Sequence, residues 1–259
     1  MMGLADLHIH SIHSYDATSS IPAILKYAAD HTELNVLAVT DHDSISGVRQ
    51  AVDLAPHYGL EVIPGCEIST SQGHLIALFI EELIPSELPL QETLLRVGEL
   101  GGLCIAPHPT ARGTSSLSFE AIKKVLSDSD ARRVLVGIEV FNGGLVYTRS
   151  NHFTAEAARE LPLAQIGSSD AHILGMIGHG TTRFAGTTAG DLRQALLNRT
   201  TCAVQNGHLT GMQVIREWLP RYFLRTLGWV SWNDHPQKPL TLKRLSHALT
   251  AQPVCQSVA

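Results

Sequence analysis

The sequence predicts an α/β barrel in one domain, and three observations predict it. Short apolar runs recur along most of the 259 residues; they are mostly β-branched and lack polar alternation, as in strands covered on both faces. Stretches with helical spacing separate them, which is the order of βα units. Nearly every run stops in a polar, often histidine-bearing cluster. A barrel gathers such clusters on one face, whereas an open doubly wound sheet would concentrate them at one switch point.

In chain order the expected strands are Leu4–Ile9, Val36–Thr40, Leu60–Cys66, His74–Ile80, Leu103–Ala106, Val134–Phe141, Leu163–Gly167 and Thr181–Phe184. Helices are expected near Pro22–Asp30, Ser46–Pro56, Leu90–Leu100, Phe119–Leu126, Thr154–Glu160 and Ala189–Asn198. Pro22 suits a first helical turn, and Asp43-Ser44 can cap the second helix. The barrel occupies residues 1–204. Residues 205–259 form a C-terminal extension, a helix packing on the barrel bottom and then, from about Gln252, a disordered tail. This extension holds Trp218, Tyr222, Phe223, Trp229 and Trp232 and six Lys/Arg against Glu217 and Asp234.

The chain carries 14 histidines, several times ordinary usage, and a formal net charge of −5. Neither points to long nucleic acid as an obligatory partner. The four cysteines lack C-x-x-C spacing, so neither a zinc-thiolate site nor a disulfide framework is indicated. No apolar run approaches the roughly 20 residues of a membrane span. A soluble protein of the cytoplasm, with no membrane partner, is expected.

His8-Ile9-His10 ends the first strand, where residues two apart point the same way and can share one ion. Asp41-His42-Asp43 ends the second, Glu67 the third; His74 opens the fourth; His108 follows Ala106-Pro107, and Asp170-Ala171-His172 ends a later strand. Imidazoles and carboxylates without thiolates suit Zn, Mn or Fe. Eight or nine donors are too many for one ion, and a bridging Glu67 would hold two ions about 3.5–4 Å apart.

The ordered set Asp6-Leu7-His8-Ile9-His10-Ser11, Thr40-Asp41-His42-Asp43, Gly65-Cys66-Glu67, Gly73-His74, Ala106-Pro107-His108-Pro109 and Ser169-Asp170-Ala171-His172 resembles the polymerase and histidinol phosphatase (PHP) family over residues 4–204. Thr-Asp-His-Asp-Ser, Gly-Cys-Glu-Ile-Ser and Ile-Glu-Val-Phe-Asn are similar to its small stand-alone phosphoesterases. The resemblance implies a distorted (βα)7 TIM-like barrel with two or three divalent ions at the C-terminal ends of the strands. It implies His8, His10, Glu67 and Asp170 at a first ion, Glu67, His74 and His108 or a neighbour at a second, and Asp16, His42 and His172 or His108 at a third. Asp16 enters through Ser11 to Asp16, which fits the family's Ser-x-x-Ser-Tyr-Asp form. Only 33 residues separate His74 from His108, where nucleotide-acting members carry a long helical insertion, so a substrate lid is missing.

The expected activity is hydrolysis of a phosphomonoester by a metal-bridging hydroxide. On resemblance alone, a nucleoside 3′,5′-bisphosphate or short oligonucleotide end comes first as substrate, and a sugar or amino-alcohol phosphate next. A metal-dependent amidohydrolase and a non-catalytic metal-binding module are the other readings. Asp170 and His179 are candidates for protonating the leaving group. Arg112, Asn142 and Arg183 are candidates for substrate contact. Asp6, Asp43 and Glu139 are expected to orient the ligand imidazoles.

Overall fold

In the computed structural model, residues 1–111, 114–144, 147–207, 209–227 and 252–253 are described. Strands β1 (Met2–Ile9), β2 (Val36–Val39), β3 (Glu61–Thr70), β4 (Gly73–Leu78), β5 (Leu103–Ala106), β6 (Leu135–Asn142), β7 (Ala164–Ser168), β8 (Gly180–Ala185), β9 (Cys202–Gln205) and β10 (Gln252–Pro253) form one sheet. Its order is β10-β9-β8-β1-β2-β3-β4-β5-β6-β7. The helices are α1 (Ile21–His31), α2 (Val48–Leu54), α3 (Leu90–Glu99), α4 (Phe119–Leu126), α5 (Ser129–Val134), α6 (Thr148–Ala157), α7 (Ala189–Asn198) and α8 (Gly211–Thr226). Among the described residues no helix is long and apolar enough to cross a membrane.

The sheet closes nearly into a barrel where β7 meets β8 and β9. The Thr182 hydroxyl takes a hydrogen bond from the Gly167 N–H at 3.2 Å and donates to its carbonyl at 2.8 Å. Thr201 donates to the Gln165 carbonyl at 2.8 Å. A Cβ at Gly167 would stand 2.6 Å from the Thr181 carbonyl oxygen, so the seam needs a glycine there. Inside, Ala5, Leu7, Val36, Ala38, Ile63, Ile76, Ala164, Ile166 and Phe184 pack with Leu192, Ala195 and Leu196 of α7. That helix crosses the end where the parallel strands begin, held by the Ala189 N–H to Glu61 and by Arg193 to the Gly101 carbonyl.

The nearly closed α/β barrel matches the expected class, with differences in strand direction and number. Only the β1–β2, β2–β3, β5–β6 and β6–β7 pairs are parallel; β4, β8 and β9 run against their neighbours. Strand β9 and helix α5 were not expected. Four residues of β9 carry too little apolar pattern, and the Ser-Asp-Ala-Arg-Arg-Val of α5 has no apolar stripe. Pro22 does lie in the first turn of α1, but Asp43 caps no helix: it accepts the Ser69 N–H and hydroxyl at 2.8 and 2.7 Å, tying β2 to β3.

The helix of the C-terminal extension does not pack on the barrel bottom. It lies at the opposite end, with Val214 and Trp218 against the cluster of Ile24, Ile173, Leu174 and Ile177. Of the expected tail, Gln252–Pro253 pairs antiparallel with β9. Residues from 254 onward, like Trp229 and Trp232, lie outside the described residues. Cys66 and Cys104 are buried free thiols, while Cys202 is disulfide-bonded, a pairing that the scattered cysteine spacing does not announce.

Candidate metal centre

Two irregularities in the ladders aim the site. Between Asp6 and Ile9 the β1 strand gains one residue over β2, and between Glu139 and Phe141 β6 gains one over β7. Such bulges twist a strand end and redirect its side chains. Leu7 accordingly packs in the barrel interior and Ile9 among the residues of α1, which leaves His8 and His10 directed at the mouth. Two other site residues sit just past strand ends in the left-handed region, His108 with φ 29° and Asp170 with φ 52°. A non-glycine residue adopts that conformation at a cost of about 1–3 kcal/mol, typically where function holds it.

Glu67 is the hub. Its Oε2 lies 3.1 Å from His8 Nε2, 3.3 Å from His10 Nε2 and 3.2 Å from His42 Nδ1. Its Oε1 lies 2.9 Å from His74 Nδ1 and 3.2 Å from His108 Nε2. Asp170 Oδ1 stands 3.4 and 3.3 Å from the same nitrogens of His8 and His10. Beside this cluster Asp16 Oδ2 meets His172 Nε2 at 3.0 Å and His42 Nε2 at 3.5 Å.

Hydrogen bonds account for only part of the convergence, those of Glu67 with His8 and His108 and of Asp16 with His172. His10 Nε2, His42 Nδ1, His74 Nδ1 and Asp16 Oδ1 are buried with no hydrogen-bond partner, although carboxylate oxygens stand close. Buried polar atoms are normally satisfied, and atoms that converge without bonding are what a shared cation would use. Four sets bring their ligand atoms within 4.8 Å of one another: His10, Asp16, His42 and His172; His8, His108 and Asp170; His8, His10 and Glu67; and His42, Glu67 and His74. The residues present fit divalent ions. Relative to the expected partition, His10 also joins Asp16, His42 and His172, and His108 stands with His8 and Asp170 while keeping its 3.2 Å contact with Glu67.

The outward nitrogens are spoken for. His8 Nδ1 pairs with Glu139 Oε1 at 2.8 Å, His10 Nδ1 with Ser14 Oγ at 3.0 Å, and His108 Nδ1 with Ser116 Oγ at 2.9 Å. His172 Nδ1 donates to the Asp170 carbonyl at 2.9 Å. Such partners fix which nitrogen faces an ion. Glu139 also accepts the His108 N–H at 2.7 Å, the Asn142 amide at 3.0 Å and the Ser168 hydroxyl. Asp6 touches no imbedded imidazole nitrogen in this way; it accepts the N–H groups of Ser169 and Gly178 at 3.0 and 2.9 Å.

Charge follows the same geometry. Burial disfavours a charged His8, yet Asp170, Glu67 and Glu139 hold it well above the usual histidine range. His10 is raised to about 9 in spite of burial, by Asp170 and Glu67. Burial would raise Glu67 and Asp170, but the surrounding histidines, His8 foremost, hold both well below the carboxylate range. Protons thus occupy the nitrogens that a cation would otherwise take.

The remaining candidates are placed less uniformly. Asn142 gives its amide to Glu139 and, at 3.3 Å, to Asp170 Oδ2, and its oxygen accepts the Gly144 N–H at 2.8 Å. Its polar atoms are engaged by the protein rather than offered to a substrate. Arg183 pairs with Leu4, near the start of β1; because β8 runs antiparallel, this arginine sits toward the barrel end remote from the metal cluster. His179 lies at the mouth, half-buried, between Gly143 and Gly207. Arg112 lies outside the described residues.

Ser14, Ser116, Ser168 and Tyr147 were missed. Tyr147 is buried, its ring parallel to that of His108 within 5° at 5.2 Å, and burial together with the nearby Asp170 pushes its hydroxyl pKa up. Nothing in Gly143 to Tyr147 marks it as part of a site, because it stands five positions past the end of β6 with no histidine or carboxylate beside it.

Four likenesses accompany this geometry. A family described as PHP-associated matches residues 148–201. An uncharacterized protein of Methanocaldococcus jannaschii is 38% identical over 148 residues, 53% of this chain and 81% of that protein. A 5′-3′ exoribonuclease of Haemophilus influenzae is 37% identical over 154 residues, and the match spans 56% of this chain and 55% of that enzyme. Among solved structures, a two-domain protein from Bacteroides vulgatus containing a PHP-like metal-dependent phosphoesterase superposes with a TM-score of 0.62 at 21% identity, covering 86% of this chain and 69% of that one.

Proposed function

The chain belongs to the PHP family, and from that premise we propose that it is a metal-dependent hydrolase of phosphomonoesters, with a nucleotide or short oligonucleotide end as substrate. The observation that carries the reading is Glu67 with five imidazole nitrogens within 3.3 Å of its oxygens. Divalent ions in such a cage supply positive charge to phosphoryl oxygens and a water acidic enough to attack at neutral pH. Phosphoryl transfer of this kind asks little covalent work of the protein.

The chain's own residues position and protect. Glu67 shares its two oxygens between neighbouring imidazole sets. Glu139 fixes His8 and the backbone of His108, while Asn142 holds Asp170. For delivery of a proton to the leaving oxygen our candidate is His179. The 5′-3′ exoribonuclease supports a nucleotide substrate, and that match spans about half of the enzyme's length.

The test is phosphate release from a panel of nucleotide and sugar phosphates by Mn²⁺-reconstituted protein, beside a His8→Ala, His10→Ala double variant. Turnover of a nucleotide that the variant loses supports the proposal. Preference for a sugar phosphate would replace the substrate, and no turnover on any phosphoester by metal-loaded protein would overturn the reading.

A further inference from the structure

We propose that helix α8 is a working part of the metal centre: Trp218 and Arg225 hold the loop that presents Asp16, and so set how tightly the outer position, His10, Asp16, His42 and His172, keeps its ion. This rests on the reading that these four residues bind a cation.

Asp16 differs from the other carboxylates of the site. Its side chain is 26% exposed, against 1% for Glu67 and 5% for Asp170. It stands on an irregular loop between β1 and α1, not at a strand end, so no ladder fixes it. Thr18 anchors the far side of that loop through its N–H to the His172 carbonyl at 3.2 Å. The carbonyls of Asp16 and Ala17 are both taken by α8. Trp218 Nε1 donates to the Asp16 carbonyl at 2.7 Å, and Arg225 Nη1 donates to that of Ala17.

Residues 218 and 225 are seven apart, about two helical turns, and therefore share one face. The Tyr222 ring stacks on the Trp218 indole at 4.4 Å and helps fix its direction. The helix starts in a reciprocal cap, Thr210 with Gln213. Glu217 lies against Gly175, in the segment that follows His172. One helix thus touches both loops that bring Asp16 and His172 together, 3.0 Å apart. A carboxylate on a loose loop loses entropy on binding an ion, and two donors that immobilise the loop beforehand reduce that loss.

The test uses the full chain and Mn²⁺ alone. Trp218→Phe with Arg225→Met removes both donors but keeps the ring stack and most of the apolar surface. Bound Mn²⁺ is counted by elemental analysis after equilibrium dialysis and affinities come from calorimetry, with Asp16→Asn as reference and Arg216→Met, an exposed position of the same helix, as control. The expected result is one class of site weakened by about tenfold or more, as loss of two hydrogen bonds implies. The other class and the control should be unchanged, and the Mn²⁺ spin-resonance spectrum should keep the signal of the ions around Glu67. Unaltered Mn²⁺ affinity in the double variant, with an ion lost in Asp16→Asn, overturns the role of α8 alone. Wild-type binding in Asp16→Asn overturns the outer site itself, and the inference with it.

Discussion

His8 directs its Nδ1 at Glu139 Oε1, 2.8 Å away and wholly buried, which leaves Nε2 for the centre. Glu139→Gln keeps the volume but can present an N–H where His8 needs an acceptor. It also removes a charge that helps keep the imidazole basic. We expect Mn²⁺ affinity to fall about 10- to 100-fold, the usual cost of losing a carboxylate behind a ligand histidine, measured by competition with a chromophoric chelator.

The metal-free protein should lose stability as pH rises. His10 titrates at about 9 instead of 6.5, and His8 is also raised. A raised histidine contributes stability that is complete below the unfolded value of 6.5 and lost as pH passes through the folded value. Glu67 and Asp170 are depressed, so the carboxylate side of these pairs survives until strongly acidic pH. Calorimetric melting temperatures of chelator-treated protein should therefore drop between about pH 6.5 and above 9, whereas Mn²⁺-loaded protein should hold. A flat profile for the metal-free protein would refute the ion-pair account.

Gly167→Ala tests the seam of the barrel. The new methyl group would meet the Thr181 carbonyl at 2.6 Å, a backbone atom that cannot turn aside. Overpacking of this kind costs about 1–3 kcal/mol. Equilibrium urea unfolding should show a lower midpoint with an unchanged slope, and Gly211→Ala, with nothing within 4 Å of the added carbon and no positive φ, shows the change when crowding is absent.

The ligand cluster is legible in the sequence because an ion needs particular donors and a barrel places them after apolar runs, as at His8, Glu67 and Asp170. Strand direction leaves no such mark. Apolar content predicted Thr181–Phe184 as a strand but not its reversal, and that reversal carries Arg183 to the remote end. The groups that orient the ligands come from distant segments, Ser116 to His108 and Glu139 to His8, and a lone serine after a loop has no spacing to betray it. Helix α8 was expected from its composition, but its docking on the Asp16 loop depends on single side-chain donors in three dimensions.

Tyr147 neighbours two ligands at once, its ring flat against His108 and its hydroxyl close enough to Asp170 to be raised by that charge. The two contacts can be separated. Tyr147→Phe keeps the stacked ring and removes only the hydroxyl near Asp170, which keeps the Asn142 amide at 3.3 Å and the histidines beside it. A hydroxyl that donates to a charged acceptor is worth about 1.5–3 kcal/mol, and an Asp170 without that neighbour would misplace the attacking geometry more than substrate affinity. We expect kcat on the preferred phosphoester to fall by about tenfold or more with KM little changed. Tyr147→Ala also opens space beside His108, so it should lower the melting temperature and Mn²⁺ affinity as well. If Tyr147→Phe matched wild type in kcat while Tyr147→Ala lost stability, the tyrosine would matter for packing alone.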